Sequence, residues 1–187
     1  MKLAIADPPY LGRAVRWYGK DGCGEGYGKS QADNHPDAAL WDIPSTHQKL
    51  VEDLIKDYDG FAIAMSVHSL STYLQIVETD SRNGMRVCVW HKPNAVTSGN
   101  RISNRWEPVL IKVPSNRKGW DSGLARCSDV LIASPPSAGF VGSKPSEWTY
   151  WVMDLLGYQE GDQVDDLFQG SGMVTDAINH YQARLDI

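Results

Sequence analysis

The sequence has few cysteines, and their spacing is not that of a ligand set. Three are present, Cys23, Cys88 and Cys127, far apart and without a CxxC pair. An odd number of isolated cysteines argues against a disulfide framework and against a zinc site. We therefore expect reduced thiols, a cytoplasmic location and no bound metal.

Long hydrophobic runs are also missing. No stretch approaches the roughly 18 consecutive apolar residues of a membrane span. The first residues lack the charged and then apolar pattern of a secretory leader. Hydrophobic residues nevertheless make up 42% of the 187-residue chain, which is ordinary for a globular protein. These features predict a single domain over residues 1–187 with no membrane partner.

The chain as a whole has no surplus of basic residues, since its formal net charge is −5. Residues 92–126 are the exception, with seven lysines and arginines against two acidic residues. Such segregation can make one face attractive to phosphate while the whole molecule stays acidic. A solvated charged face is the alternative interpretation.

Short apolar runs alternate with helical patterns along the chain. We predict strands at residues 3–6, 61–66, 86–90, 107–113, 129–134 and 163–166. We predict helices after a capping box at Ser45 and Gln48, around residues 70–77, from Pro145 to Gly157, and through residues 173–181. The alternation indicates an α/β fold with a mostly parallel, doubly wound sheet. Residues 11–40 have no apolar period and are predicted to form a long functional loop.

Two stretches place unusual residues at the ends of predicted strands. In "ADPPY", Ala6 to Tyr10, the prolines stop the strand and stiffen the backbone, so that Asp7 and Tyr10 are displayed at its carboxyl end. In "DDLFQGSG", Asp165 to Gly172, two glycines permit a close approach of the backbone to a ligand where a helix begins. Each stretch alone is compatible with a structural turn. The two stretches occur in one α/β chain together with Ser143–Pro145, and we therefore interpret the three as one set.

This set resembles the amino-methyltransferases, which use S-adenosylmethionine (SAM) to methylate an exocyclic nitrogen of a base. Asp7-Pro8-Pro9-Tyr10 matches their catalytic signature (D/N/S)PP(Y/F/W), and Asp166–Gly172 matches their cofactor signature DxFxGSG. The catalytic motif comes first and a Lys-Pro precedes the cofactor motif, an order similar to the circularly permuted β group of DNA methyltransferases. The layout is also similar to that of small enzymes carried by bacteriophages and actinobacteria. The resemblance implies a Rossmann-like methyltransferase fold with SAM as cofactor.

The resemblance also implies roles for individual residues. Asp7 and the main-chain carbonyl of Pro8 would accept the two amine hydrogens, and Tyr10 would stack on a base extruded from the duplex. Lys144 would meet the methionine carboxylate, and Asp166 would orient the glycine turn. The implied cofactor-binding residues are Ala6, Asp7, Lys144, Pro145, Asp166, Phe168, Gly170, Ser171, Gly172 and Asp186. Two departures are Leu167, where the family often has proline, and Asp186, the only candidate for a ribose-binding acid.

The substrate suggested by the resemblance is DNA, methylated at N6 of adenine. Contacts are predicted in two recognition loops, residues 11–40 and 91–126, at Arg13, Arg16, Trp17, Tyr18, His91, Lys92, Arg101, Arg105, Arg117 and Lys118. Transfer to N4 of cytosine, transfer to an RNA base and a non-catalytic nucleic-acid-binding module remain alternatives. A chain of this size either binds a short site weakly or pairs with a second copy. The sequence leaves open a role in restriction-modification or in regulation.

Overall fold

The computed structural model describes residues 1–20, 35–75, 77, 85–94, 102–119, 122–137 and 142–185. Its six strands are β1 (Lys2–Ala6), β2 (Gly60–Ala64), β3 (Met85–His91), β4 (Trp106–Lys112), β5 (Val130–Ile132) and β6 (Gln163–Asp166). Together they form one sheet in the order β5-β3-β4-β2-β1-β6. Each strand overlaps a run predicted from the sequence.

Five of these strands run in one direction and β4 runs in the other. The pairs β1–β2, β1–β6 and β3–β5 are parallel, whereas β4 is antiparallel to both β2 and β3. The predicted α/β fold with a mostly parallel sheet is confirmed, and the reversal of β4 is a feature that the prediction lacked. It places the start of β4 beside the carboxyl ends of the other five strands. We call this the carboxyl edge of the sheet, and the opposite one the amino edge.

The helices are α1 (Ala14–Tyr18), α2 (Pro44–Asp57), α3 (Leu70–Leu74), α4 (Ser146–Leu156) and α5 (Met173–Leu185). They cover both faces of the sheet, because successive side chains of a strand point to opposite sides. Leu3 and Ile5 of β1 belong to a core with α4 and α5, whereas Ala4 and Ala6 belong to a second core with α2 and α3. This is the doubly wound arrangement. Among the described residues, no helix is long and apolar enough to cross a membrane.

The observed ends of two helices show whether the helix boundaries predicted from the sequence are correct. The predicted capping box at Ser45 and Gln48 is wrong, because α2 begins at Pro44, so that Ser45 lies inside the helix, and the observed N-cap, Ile43, makes no side-chain cap. Proline suits that position, since its missing N–H would have no partner within the helix. Gly157 ends α4 in the left-handed conformation at φ 67°, as predicted.

Candidate active site

The predicted catalytic tetrad and the predicted cofactor turn lie side by side. β1 and β6 are paired in parallel, with Ile5 opposite Asp166, so the residues that follow each strand leave the carboxyl edge together. They share a cleft of about 350 Å³. Its lining includes Asp7, Pro9, Tyr18, Lys144, Phe168, Gly170 and Ser171. A parallel sheet therefore brings together two motifs that lie far apart in the chain.

The glycine turn is tied to the helix that follows it. One carboxylate oxygen of Asp166 accepts the N–H of Phe168 at 3.3 Å, and the other accepts the hydroxyl of Thr175 in α5 at 2.7 Å. Gly170 and Gly172 have φ values of 45° and 78°, a region that residues with a side chain rarely adopt. Asp166 thus orients this turn by direct hydrogen bonds.

One wall of the cleft is supported by aromatic rings in edge-to-face contact. The ring of Phe168 meets Trp41 edge to face at 5.0 Å, and Trp41 meets His47 at 5.3 Å. The two nitrogens of the buried His47 are each 2.7 Å from an oxygen, one in the Tyr73 hydroxyl and one in the Trp41 carbonyl. Burial lowers the pKa of His47, although the Trp41 carbonyl opposes the shift. These contacts connect Phe168 to α2 and α3.

Asp7 is held by a buried lysine. Nζ of Lys144 lies 2.8 Å from one carboxylate oxygen of Asp7, 2.7 Å from the other, and 3.0 Å from the Gly142 carbonyl. The Lys144 side chain is 1% exposed, compared with 20% for Asp7. Burial raises the pKa of Asp7, while the Lys144 ammonium opposes the shift. The resemblance implies that Lys144 meets the methionine carboxylate, which stays a prediction; in the structure its ammonium lies against Asp7.

A second carboxylate, Glu107, lies in the same site and was not predicted. It accepts the Tyr10 hydroxyl at 2.8 Å and the Lys92 ammonium at 2.6 Å, and its Oε2 lies 3.9 Å from Nζ of Lys144. Burial acts to raise the pKa of Glu107, but the two ammonium groups and the hydrogen bonds outweigh burial and lower it. Glu107 reaches this edge because β4 is reversed. A glutamate at the start of an otherwise apolar strand was the available signal.

The first recognition loop starts beside the tetrad and includes α1. The carboxylate of Asp42 accepts the N–H groups of Ala14 and Val15 at 2.9 and 3.0 Å, which holds the start of α1. Arg13 and Arg16 are exposed, and the Arg16 guanidinium lies 5.1 Å from the centre of the Trp17 ring. Tyr18 lines the cleft.

The second recognition loop is divided between the two edges of the sheet. His91 and Lys92 at the end of β3, and Arg105 before β4, lie at the carboxyl edge. Arg105 is exposed and donates to the Pro93 carbonyl at 3.1 Å. Arg101 and Asp186 lie outside the described residues.

Arg117 and Lys118 are not brought to the cleft. They follow β4, at the amino edge, and Arg117 is buried with its guanidinium on both carboxylate oxygens of Asp162. A guanidinium in that position cannot contact a DNA phosphate, so the prediction for Arg117 is wrong. The same placement removes the neighbouring Lys118 from the proposed interface, although this residue is exposed.

No family model and no curated protein matches the chain. Among solved structures, the crystal structure of an M1.HpyAVI–SAM complex is similar, with a TM-score of 0.49 and 17% sequence identity. The match covers 97% of this chain and 78% of the other. A likeness at this level does not indicate a shared function.

Proposed function

We propose that the protein is a SAM-dependent methyltransferase that methylates N6 of adenine in DNA. The observation that carries the proposal is the shared cleft, in which the Asp7 tetrad and the Asp166–Gly172 turn meet at the ends of neighbouring strands. A cleft of about 350 Å³ is within the usual range for a small-molecule site. The proposal is supported by the motifs and by their placement, and not by the structural similarity.

The residues of the cleft fit SAM chemically. The glycines of the turn leave room for a close approach of the ligand, and a Cβ built at Gly172 would meet no atom within 4 Å. Asp166 supplies negative charge at the turn, which suits a sulfonium cation, whereas the charge of Asp7 is matched by the Lys144 ammonium. When bound, SAM would supply an electrophilic methyl group.

In the proposed mechanism, the protein activates the amine by positioning it. A base amine is a poor nucleophile because its lone pair is delocalised into the ring. Asp7 would accept one N–H and the Pro8 carbonyl the other, which directs the lone pair at the methyl carbon. Transfer would form the N–C bond as the C–S bond of SAM breaks, and one amine proton would leave to solvent. The residues need to supply only orientation and electrostatic stabilisation.

The choice of adenine in DNA rests on the resemblance to the family. Asp at the first position of the tetrad favours a base over a glutamine side chain, and Tyr10 rather than tryptophan favours DNA over messenger RNA. Cytosine N4 is the second candidate, because its amine presents the same two hydrogens. A binding module without activity is less well supported, because both motifs are intact.

The proposed DNA contacts lie at the carboxyl edge. Arg13, Arg16 and Arg105 are exposed there, and Trp17 and Tyr18 start beside the tetrad, where aromatic rings can fill the space left by a flipped base. A second copy of the chain would extend this surface along the duplex.

The test is incubation with methyl-labelled SAM and, separately, unmodified DNA, RNA and free nucleotides, followed by nucleoside analysis. We expect label in N6-methyldeoxyadenosine. Label in N4-methyldeoxycytidine or in an RNA nucleoside would show that cytosine or RNA, and not adenine in DNA, is the substrate. No label with any substrate would contradict the proposed function.

A further inference from the structure

Two carboxylates and two ammonium groups share the interior of the site. Asp7 is paired with Lys144, and Glu107 is paired with Lys92, all with side chains that are at most 20% exposed. Lys144 lies between the carboxylates, with its Nζ 2.7 Å from Oδ2 of Asp7 and 3.9 Å from Oε2 of Glu107. We call these four residues the charge cluster. Its charges balance when both acids are ionised and both lysines are protonated.

This arrangement conflicts with the proposed role of Asp7. A single ammonium is within hydrogen-bond distance of both carboxylate oxygens, where the hydrogen of a base amine would have to bind. Each oxygen keeps a second lone pair, but the ammonium neutralises the charge that makes Asp7 a strong acceptor, so Asp7 accepts the amine hydrogen best once the lysine moves away.

Glu107 is placed to receive that lysine. The gap of 3.9 Å between Nζ and Oε2 exceeds a charged hydrogen bond by only about 1 Å. Lys92 donates to Oε1, which leaves Oε2 facing Lys144 and shared with the Tyr10 hydroxyl. The rings of Tyr10 and Trp148 surround the ammonium, with centroids 5.3 and 5.7 Å from Nζ. Such contacts stabilise a cation over a short displacement.

We infer that Glu107 is a positioning residue that accepts Lys144 when a base amine engages Asp7. Lys144 neutralises Asp7 in the structure; in the substrate complex it pairs with Glu107, and the carboxylate of Asp7 is released to accept the amine hydrogen. No net charge enters or leaves the charge cluster in this exchange. The inference rests on the proposed function for its purpose, but the movement of the lysine can be tested without it.

The structural test is a crystal structure of the Asp7→Asn variant. The amide has the shape of the carboxylate but no charge, so Lys144 should move to Glu107, and the distance from Nζ to Oε2 should fall from 3.9 Å to about 2.8 Å. In the double variant Asp7→Asn/Glu107→Gln the lysine should occupy neither position. A Lys144 that stays on residue 7 in the single variant would overturn the inference.

The kinetic test compares Glu107→Gln with a matched control, Asp165→Asn. Asp165 likewise accepts a tyrosine hydroxyl, from Tyr58 at 2.9 Å, and lies 3.8 Å from a lysine, Lys2. We expect kcat to fall by roughly tenfold in Glu107→Gln, the effect of losing one charged hydrogen bond. The Kd for SAM should be unchanged, Glu107→Asp should recover part of kcat, and Asp165→Asn should match the wild type.

The outcomes separate the two proposals. If the wild type transfers methyl groups but Glu107→Gln has a normal kcat, the inference about Glu107 is wrong and the proposed function stands. If the wild type transfers no methyl group to any base, the proposed function is wrong, and the Asp7→Asn structure still decides whether Glu107 is the alternative partner of Lys144.

Discussion

At the scale of single residues, two ion pairs with little exposure have different consequences. The pair of Lys144 and Asp7 lines an open cleft, so it can exchange partners with a ligand. The pair of Arg117 and Asp162 lies at the amino edge with both side chains less than 10% exposed, and neither residue lines the cleft between the tetrad and the glycine turn. We therefore expect the first pair to affect activity and the second to affect stability.

The stability prediction concerns Asp162→Asn. Removing one partner of a buried ion pair leaves the other charge uncompensated, so the free energy of unfolding should fall by about 3–5 kcal/mol. The control is Asp53→Asn, which breaks an exposed pair with Lys49 and should cost less than about 1 kcal/mol. Urea denaturation at pH 7 measures both. Equal effects of the two variants would contradict the structural role of Asp162.

The same carboxylate predicts a pH dependence. Burial acts to raise the pKa of Asp162, but hydrogen bonds from Arg117, from the Met1 ammonium and from the Gln159 N–H outweigh it and lower the pKa to about 2. A pKa depressed in the folded state stabilises the protein above the unfolded value of 3.8 and does so less as the pH falls towards 2. The stability difference between wild type and Asp162→Asn should therefore shrink over that interval. A difference that stays constant from pH 5 to pH 2 would contradict the assignment.

At the scale of elements, the glycine turn between β6 and α5 is the part of the fold that the proposed cofactor would contact. Gly170 lines the cleft, and its φ is 45°. Gly161 also has a positive φ, 86°, but precedes β6 at the opposite end of the strand. Alanine at either position would be strained by about 1–2 kcal/mol. Both variants should therefore lose similar stability, and a difference in SAM affinity between them would not come from that loss.

We predict that Gly170→Ala weakens SAM binding and that Gly161→Ala does not. The added methyl group at residue 170 would occupy space that the cofactor needs, whereas at residue 161 it would meet no atom within 4 Å. Calorimetric titration of SAM into each variant at matched folded fraction measures the effect, which should be roughly tenfold or more in Kd. Equal affinities for SAM would mean that the turn is only structural.

The elements also show what can be predicted from the sequence. Five of the six strands were predicted because each contains a short apolar run between turn residues, a local signal. The exception is β6, with the sequence QVDD, which was predicted from its position between Gly161 and the glycine turn. The direction of β4 was not predicted, because strand direction depends on which strands pair. For the same reason, the position of Glu107 at the carboxyl edge was not predicted. Arg117 was misassigned for a related reason, since its charge is visible in the sequence but its partner Asp162 lies 45 positions away.

At the scale of the whole molecule, an acidic protein would have to approach DNA with one face. The exposed Arg13, Arg16 and Arg105 lie at the carboxyl edge, whereas Lys56 lies near the end of α2, which leads to the amino edge of β2. Phosphate contacts release counterions, so each lost contact should reduce the slope of log affinity against log salt concentration by about 0.9.

We predict that the triple charge reversal Arg13→Glu/Arg16→Glu/Arg105→Glu lowers DNA affinity and flattens this slope, and that Lys56→Glu leaves both unchanged. Fluorescence anisotropy with a labelled duplex over a salt series measures them. A triple variant with the slope of the wild type would mean that the carboxyl edge is not the docking face.

The central claim is that one cleft holds both the methyl donor and the base amine, with Asp7 on the amine. The most direct measurement is methyl transfer from labelled SAM to DNA by the wild type and by Asp7→Asn, with SAM binding measured on the same samples. We expect label in N6-methyldeoxyadenosine for the wild type, and no detectable label for a folded Asp7→Asn that still binds SAM. Full turnover by a folded Asp7→Asn would contradict it.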